Sequence, residues 1–327
     1  MPESSPESIQ ITKIVAYKDG YGREIGFHRS GTLWASATTG ILHIWEGSTL
    51  LNSVSLPGYV YGSVQFSDDG HKVYLGPWIV DTEDYNTTFI LHDQDALVAA
   101  IDSKYSPRSD LFSPLNVEWS SDKKTLVVLT KYRPTRMLDD DYSYDGPEGQ
   151  LLVMEPVTQK VEAVLEEDCG FLTDRAITIS QHWIAAAGQT ISVWDLPTGN
   201  KLTNIADNQA YCNTIRFSPD ESYLAVIRVD GTIGIWTTKN WQPYTEWQGH
   251  AEIGRAIAFH PRLPFLVSGG DDQQVKLWTL ASSPPELVSS VSVGNRIEGA
   301  VFHPVERHLY ISAWLPAEEI SIFEIIL

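Results

Sequence analysis

The chain has 327 residues, 43% of them hydrophobic and 20% charged, with 11 tryptophans and 14 tyrosines, which provides apolar surface for a packed core and excludes global disorder. Its 23 basic and 42 acidic side chains leave a net charge of −19, a field that repels phosphate backbones and anionic headgroups, so no nucleic-acid and no membrane partner is expected. Cys169 and Cys212 stand far apart and outside any Cys-x-x-Cys spacing, so neither a disulfide framework nor a zinc site is signalled, and a reducing compartment fits best.

The chain opens on MPESSPESIQ, polar and acidic, without the basic start and apolar run of a secretory signal. Residues 1–8 read as a loosely ordered tail, and a cytoplasmic location is expected. Residues 9–17, IQITKIVAY, are apolar and β-prone. From there a repeat recurs: an apolar strand closes at Phe27, Phe66, Trp119, Ile179, Phe217, Phe259 and Phe302. Several of these are followed by turn chemistry, as in Ser67-Asp68-Asp69-Gly70, Ser120-Ser121-Asp122 and Ser218-Pro219-Asp220. A later strand of each repeat alternates with period two and ends on tryptophan at Trp45, Trp194, Trp236 and Trp278. More degenerate versions put His92, Met154 and Phe323 at that place, the first within residues 89–93.

The best repeat is residues 249–280, GHAEIGRAIAFHPRLPFLVSGGDDQQVKLWTL. It resembles a WD40 repeat, and the resemblance extends over residues 9–327 with this one strong copy, two good ones and four degenerate ones. It implies an all-β fold: a single seven-bladed β-propeller with blades starting near residues 23, 62, 115, 175, 213, 255 and 298. Residues 9–17 would supply the outer strand of the last blade and close the ring. The resemblance also implies a hydrogen-bonded structural tetrad of His250, Ser268, Asp272 and Trp278, which would satisfy polar groups that burial otherwise penalises. In the fifth repeat Asp230 and Trp236 hold their places, but Asn208 and Val226 stand where the histidine and serine would be.

Two candidate binding areas follow. Four residues before each closing aromatic, the family presents a side chain at the upper mouth of its channel. Arg23, Arg175, Arg255 and Asn213 fall there, bordered by Tyr21, Tyr211 and Arg296, a positive focus for an acidic group unless each arginine meets an acid such as Glu24, Asp174 or Glu298. The repeat spacing also widens around the second and third blades. The extra chain reads as loops at residues 76–86, 103–113 and 131–150, carrying Trp78, Tyr85, Tyr105, Arg133, Arg136, Asp139, Asp141, Tyr142, Tyr144 and Asp145 on the upper face. Exposed aromatics there would anchor a partner, and the acidic run would read a basic one. Its alternation has a calcium-loop flavour, but the glycine comes late, at Gly146, so a solvated acidic loop is the simpler reading and no metal is expected.

No phosphate-binding, nucleophile-elbow or metal-ligand pattern appears, so no catalytic residue and no cofactor is assigned. His28, His260 and His303 share one repeated turn position. The functional expectation is a non-enzymatic scaffold, monomeric on its own, that docks a protein or peptide on its upper face. The alternative is a small-ligand or hydrolytic propeller using the channel as its pocket.

Overall fold

The computed structural model describes residues 10–18, 24–38, 40–57, 62–91, 112–132, 150–165, 175–188, 190–205, 210–313 and 319–326. Every regular element among them is a strand, so none is a helix long and apolar enough to cross a membrane. The strands form seven four-stranded antiparallel sheets, the blades of a seven-bladed β-propeller.

The chain divides into two compact units. The first holds four blades. Blade one is Glu24–Phe27, Leu33–Thr38, Ile41–Glu46 and Thr49–Ser55; blade five is Cys212–Phe217, Tyr223–Arg228, Thr232–Thr237 and Pro243–Gln248. Blade six is Gly254–Phe259, Phe265–Gly270, Gln274–Thr279 and Glu286–Ser292. Blade seven takes Ile297–Phe302, His308–Ala313 and Glu319–Ile326 from the end of the sequence and Gln10–Lys18 from its beginning, with Gln10 paired to Ile326 and Lys18 to Glu319. The first strands of blades five, six, seven and one lie side by side in that order.

The second unit holds blades two, three and four. These are Val64–Phe66, Lys72–Leu75, Trp78–Asp81 and Thr87–Phe89; Phe112–Trp119, Leu126–Tyr132, Gln150–Glu155 and Lys160–Leu165; and Ile177–Ile179, Trp183–Ala187, Ile191–Asp195 and Lys201–Ile205.

Burial explains the strand chemistry. Middle strands such as Ile191–Asp195 and Thr232–Thr237 are buried on both faces, so both alternating sets of side chains are apolar or small. Fourth strands such as Lys201–Ile205 are half exposed and correspondingly polar. Each core cluster therefore lies between consecutive blades. Trp34, Trp45, Tyr310 and Ile320 fill the space between blades seven and one, and Val127, Leu129, Leu151, Ile184 and Trp194 that between three and four. The first turns of blades two, three and five are held alike: Ser67, Ser120 and Ser218 donate to Asp69, Asp122 and Asp220 at 2.6, 2.7 and 2.6 Å.

Blade two differs from the sequence reading. Residues 76–86 were expected as a long loop and residues 89–93 as the third strand. Instead Leu75 pairs directly with Trp78 across a two-residue turn, Gly76-Pro77, with Gly76 at φ +53°. The third strand is Trp78–Asp81, and Val80, fully buried, occupies the place Trp278 holds in blade six. Phe89 belongs to the fourth strand, opposite Trp78. A four-residue strand without the repeat's tryptophan left no periodic signal to recognise, while Gly-Pro read as loop.

Candidate functional site

Blade six brings the four tetrad residues together. Asp272 accepts from His250 Nδ1 at 2.8 Å, Ser268 donates to His250 Nε2 at 2.8 Å, and Trp278 Nε1 donates to Ser268 Oγ at 2.8 Å. This chain of donors and acceptors assigns a neutral imidazole with its proton on Nδ1. Burial holds the His250 pKa below its ordinary value, outweighing the opposite pull of Asp272. Burial pushes Asp272 up, but its hydrogen bond to His250 and the backbone N–H groups of Gln274 and Ala251 bring it below the usual carboxylate value. Lys276 Nζ stands 3.6 Å from Asp272 and donates to the Gly249 carbonyl at 2.6 Å. Gly270 leaves room for the ring, since a β-carbon there would press on His250.

Asp, His and Ser are connected in the order of a hydrolytic triad, but Ser268 is 0% and His250 1% exposed, and the serine oxygen is already engaged by the indole. No substrate reaches that hydroxyl. The arrangement pins the loop before Gly254–Phe259 to the second and third strands. Among the described residues, no group of three His, Cys, Asp or Glu is disposed to hold a metal ion.

The rim positions have a common backbone origin. In the first strands of blades three, five, six and seven the register skips one residue, at Leu115, Asn213, Arg255 and Glu298. Each is the extra residue of a β-bulge, which at Asn213, Arg255 and Glu298 takes the side chain out of the ladder and re-aims it. In the first unit these side chains reach for protein. Asn213 donates to the Gly254 carbonyl of the next blade at 2.7 Å, and Thr214 follows with 2.6 Å to Arg255 O. Arg255 grips Asp271 with Nε and, at 3.0 Å, with Nη2, and lies 3.9 Å from Glu298. Arg296 meets Glu298 at 2.6 Å and Asp271 at 3.8 Å. The expected positive focus is thus, at Arg255 and Arg296, a charge-balanced cluster of two arginines and two carboxylates. Glu298 was foreseen as a partner; Asp271 was not, because Asp272 beside it accounted for the motif.

The other site residues separate. Tyr211 is 41% exposed just ahead of Cys212–Phe217. Arg175 is buried in the second unit, ahead of Ile177–Ile179. Tyr21, Arg23, Tyr105, Arg133, Arg136, Asp139, Asp141, Tyr142, Tyr144 and Asp145 lie outside the described residues. Trp78 is a strand residue whose ring packs against Phe89 at 4.7 Å. Tyr85 falls in the turn between the third and fourth strands, at the end of blade two marked by its first turn, where Thr82 Oγ1 donates to Gly70 O and His71 meets Glu83 at 3.1 Å. Neither belongs to a long loop at the opposite end, which corrects the expectation for both.

Sequence reasoning also missed Arg228. In blade five, which lacks the tetrad histidine and serine, this fully buried arginine lies 5.6 Å from the Trp236 ring, donates to Thr232 Oγ1 at 3.1 Å and meets Glu246 at 3.2 Å. Gly234 makes the space, since a β-carbon would touch both Trp236 and Arg228. The available signal was an arginine ending an otherwise apolar strand, YLAVIR, with a glycine opposite Val226 on the facing strand.

Seven four-stranded antiparallel sheets with a His-Ser-Asp-Trp tetrad define a WD40-type propeller, and the WD domain, G-beta repeat model matches residues 199–237 and 241–279. The chain thus carries WD40-type repeats and folds as a seven-bladed β-propeller. It is 30% identical over 98 residues to transcription factor unc-37 of Caenorhabditis elegans, covering 30% of this chain and 16% of that protein. It is 31% identical over 98 residues to apoptotic protease-activating factor 1 of Danio rerio, and 27% over 99 residues to transducin-like enhancer protein 2 of Mus musculus. Those matches cover 29% and 30% of this chain and 8% and 13% of the relatives, so each likeness is confined to a small part of a longer protein.

Proposed function

We propose that this chain is a non-enzymatic interaction module that docks a protein or peptide where the first strands of blades five to seven begin. The exposure of Tyr211 carries this reading. A large aromatic side chain stands in solvent beside a rim whose charges are already matched, so the rim supplies a stiff platform and the phenol ring an anchor. WD40 propellers serve as protein-interaction scaffolds, and the relatives carry the names of regulatory proteins, a transcription factor, an apoptotic protease-activating factor and an enhancer protein, which supports the same role here. The module acts as a monomer until it meets its partner. A cytoplasmic location is part of this reading, since the sequence carries only two cysteines, far apart and without the pattern of a disulfide framework.

The test is site-specific photo-crosslinking. A benzophenone amino acid at position 211 should trap a partner from native lysate, whereas the same group at position 157, where Val157 is 86% exposed in the other unit, should not. Tyr211→Ala should abolish capture at an unchanged melting temperature. Full capture by a folded Tyr211→Ala chain would move the interface elsewhere.

A further inference from the structure

The far ends of the same first strands carry a different surface. In blades six, seven and one, the turn from first to second strand holds Arg262, Arg307 and Arg29, all exposed. The turns adjoin. Arg262 Nη2 donates to Pro304 O at 3.2 Å, joining six to seven, and His303 Nε2 donates to Gly31 O at 2.9 Å, joining seven to one. None of the three arginines has a carboxylate partner among the described residues. The acid on these turns, Glu306, is taken by His308 at 2.8 Å and lies 3.9 Å from His303. Leu263 and Val305 add apolar exposure of 40% and 55% on the same turns.

In a chain of net charge −19, three neighbouring cations without a carboxylate partner among the described residues are the inverse of the general charge balance. At physiological salt, charges beyond about 8 Å are largely screened, so an arriving segment senses this local patch more than the acidic remainder. Guanidinium forks bind carboxylates two-pronged, arginine is enriched at interfaces, and exposed aliphatic side chains beside it give apolar area to cover. We propose that the first-turn face of blades six, seven and one binds an acidic, leucine-bearing segment of a partner protein, its carboxylates paired with Arg29, Arg262 and Arg307 and its apolar side chains resting on Leu263 and Val305. This surface is independent of the Tyr211 end.

The probe is a fluorescein-labelled peptide of alternating Glu and Leu, titrated with the full chain and read by anisotropy. Three exposed ion pairs predict that Arg29→Gln, Arg262→Gln and Arg307→Gln together weaken binding about tenfold. Leu263→Ser with Val305→Ser should weaken it a few-fold, and Tyr211→Ala should leave it unchanged. A Gln-for-Glu peptide should bind no better than the triple variant, with all variants matched in melting temperature. Equal binding of the acidic peptide by wild type and triple variant, or no binding by either, overturns the proposal. So does a preference for anionic phosphatidylserine vesicles over the peptide, which would mark a lipid-facing patch.

Discussion

His303 of the seventh blade donates from Nε2 to the carbonyl of Gly31 in the first, 272 residues away, at 2.9 Å. Its Nδ1 accepts from the backbone of Val305 and Glu306 at 3.2 and 2.8 Å, so both ring nitrogens are used and the tautomer is assigned. One imidazole thus shapes its own turn and clasps the blade built from the start of the sequence.

Gly31 is the point of this clasp most sensitive to mutation. Its φ is +79°, and a β-carbon there would collide with the His303 ring. Gly31→Ala should lower stability by about 2 kcal/mol or more, adding backbone strain to a broken clasp. Urea denaturation measures it, and a loss under about 0.5 kcal/mol would show that the turn relaxes freely.

Ser268→Ala removes a donor from His250 and an acceptor from Trp278 at a site without water access. The orphaned groups should make it cost about 1–3 kcal/mol in denaturant midpoint, with the binding of surface ligands unchanged. An unshifted midpoint would mean that the tetrad does not hold blade six.

Acidification should act through His250 first. Its folded pKa is depressed by burial, so the unfolded chain takes up the proton earlier, and the stability present above about 6.5 is lost as pH falls below it. Asp272 is also held low, and its contribution persists until pH drops below about 4. His43 and His260, likewise depressed by burial, work in the same direction as His250. The chain should be less stable at pH 5.5 than at pH 7.5, and His250→Gln should narrow that difference. An identical difference in both proteins would assign the pH response elsewhere.

Glu246→Ala takes the carboxylate from an arginine with no exposure of its own. The remaining contacts to Thr232 and the Trp236 face soften the loss, and about 1–3 kcal/mol is expected. Arg228→Met in the same chain should recover part of it, because a buried apolar side chain needs no counter-charge. A double variant less stable than Glu246→Ala alone would show that Arg228 is held chiefly by its ring and hydroxyl contacts.

Much of the architecture was legible because blade packing imposes a period. Residues that close first strands, from Phe27 to Phe302, are buried or half-buried, and the tryptophans that end third strands, such as Trp45 and Trp236, are buried, so the same chemistry recurs along the chain. The placement of His250, Ser268, Asp272 and Trp278 was equally readable, since their spacing follows from strand length and hairpin turns. Tertiary structure alone decided the rest. A bulge turns Arg255 toward Asp271 and Glu298, and that aim comes from register rather than from residue type. Gly76-Pro77 makes a hairpin only because Trp78 finds Leu75 across it and Phe89 beside it. Arg228 stays buried because Gly234 vacates the space and Glu246 arrives from another strand. Period is a local property and is written in the sequence, whereas the balance of charges at a rim depends on which side chains folding brings within a few ångströms of one another.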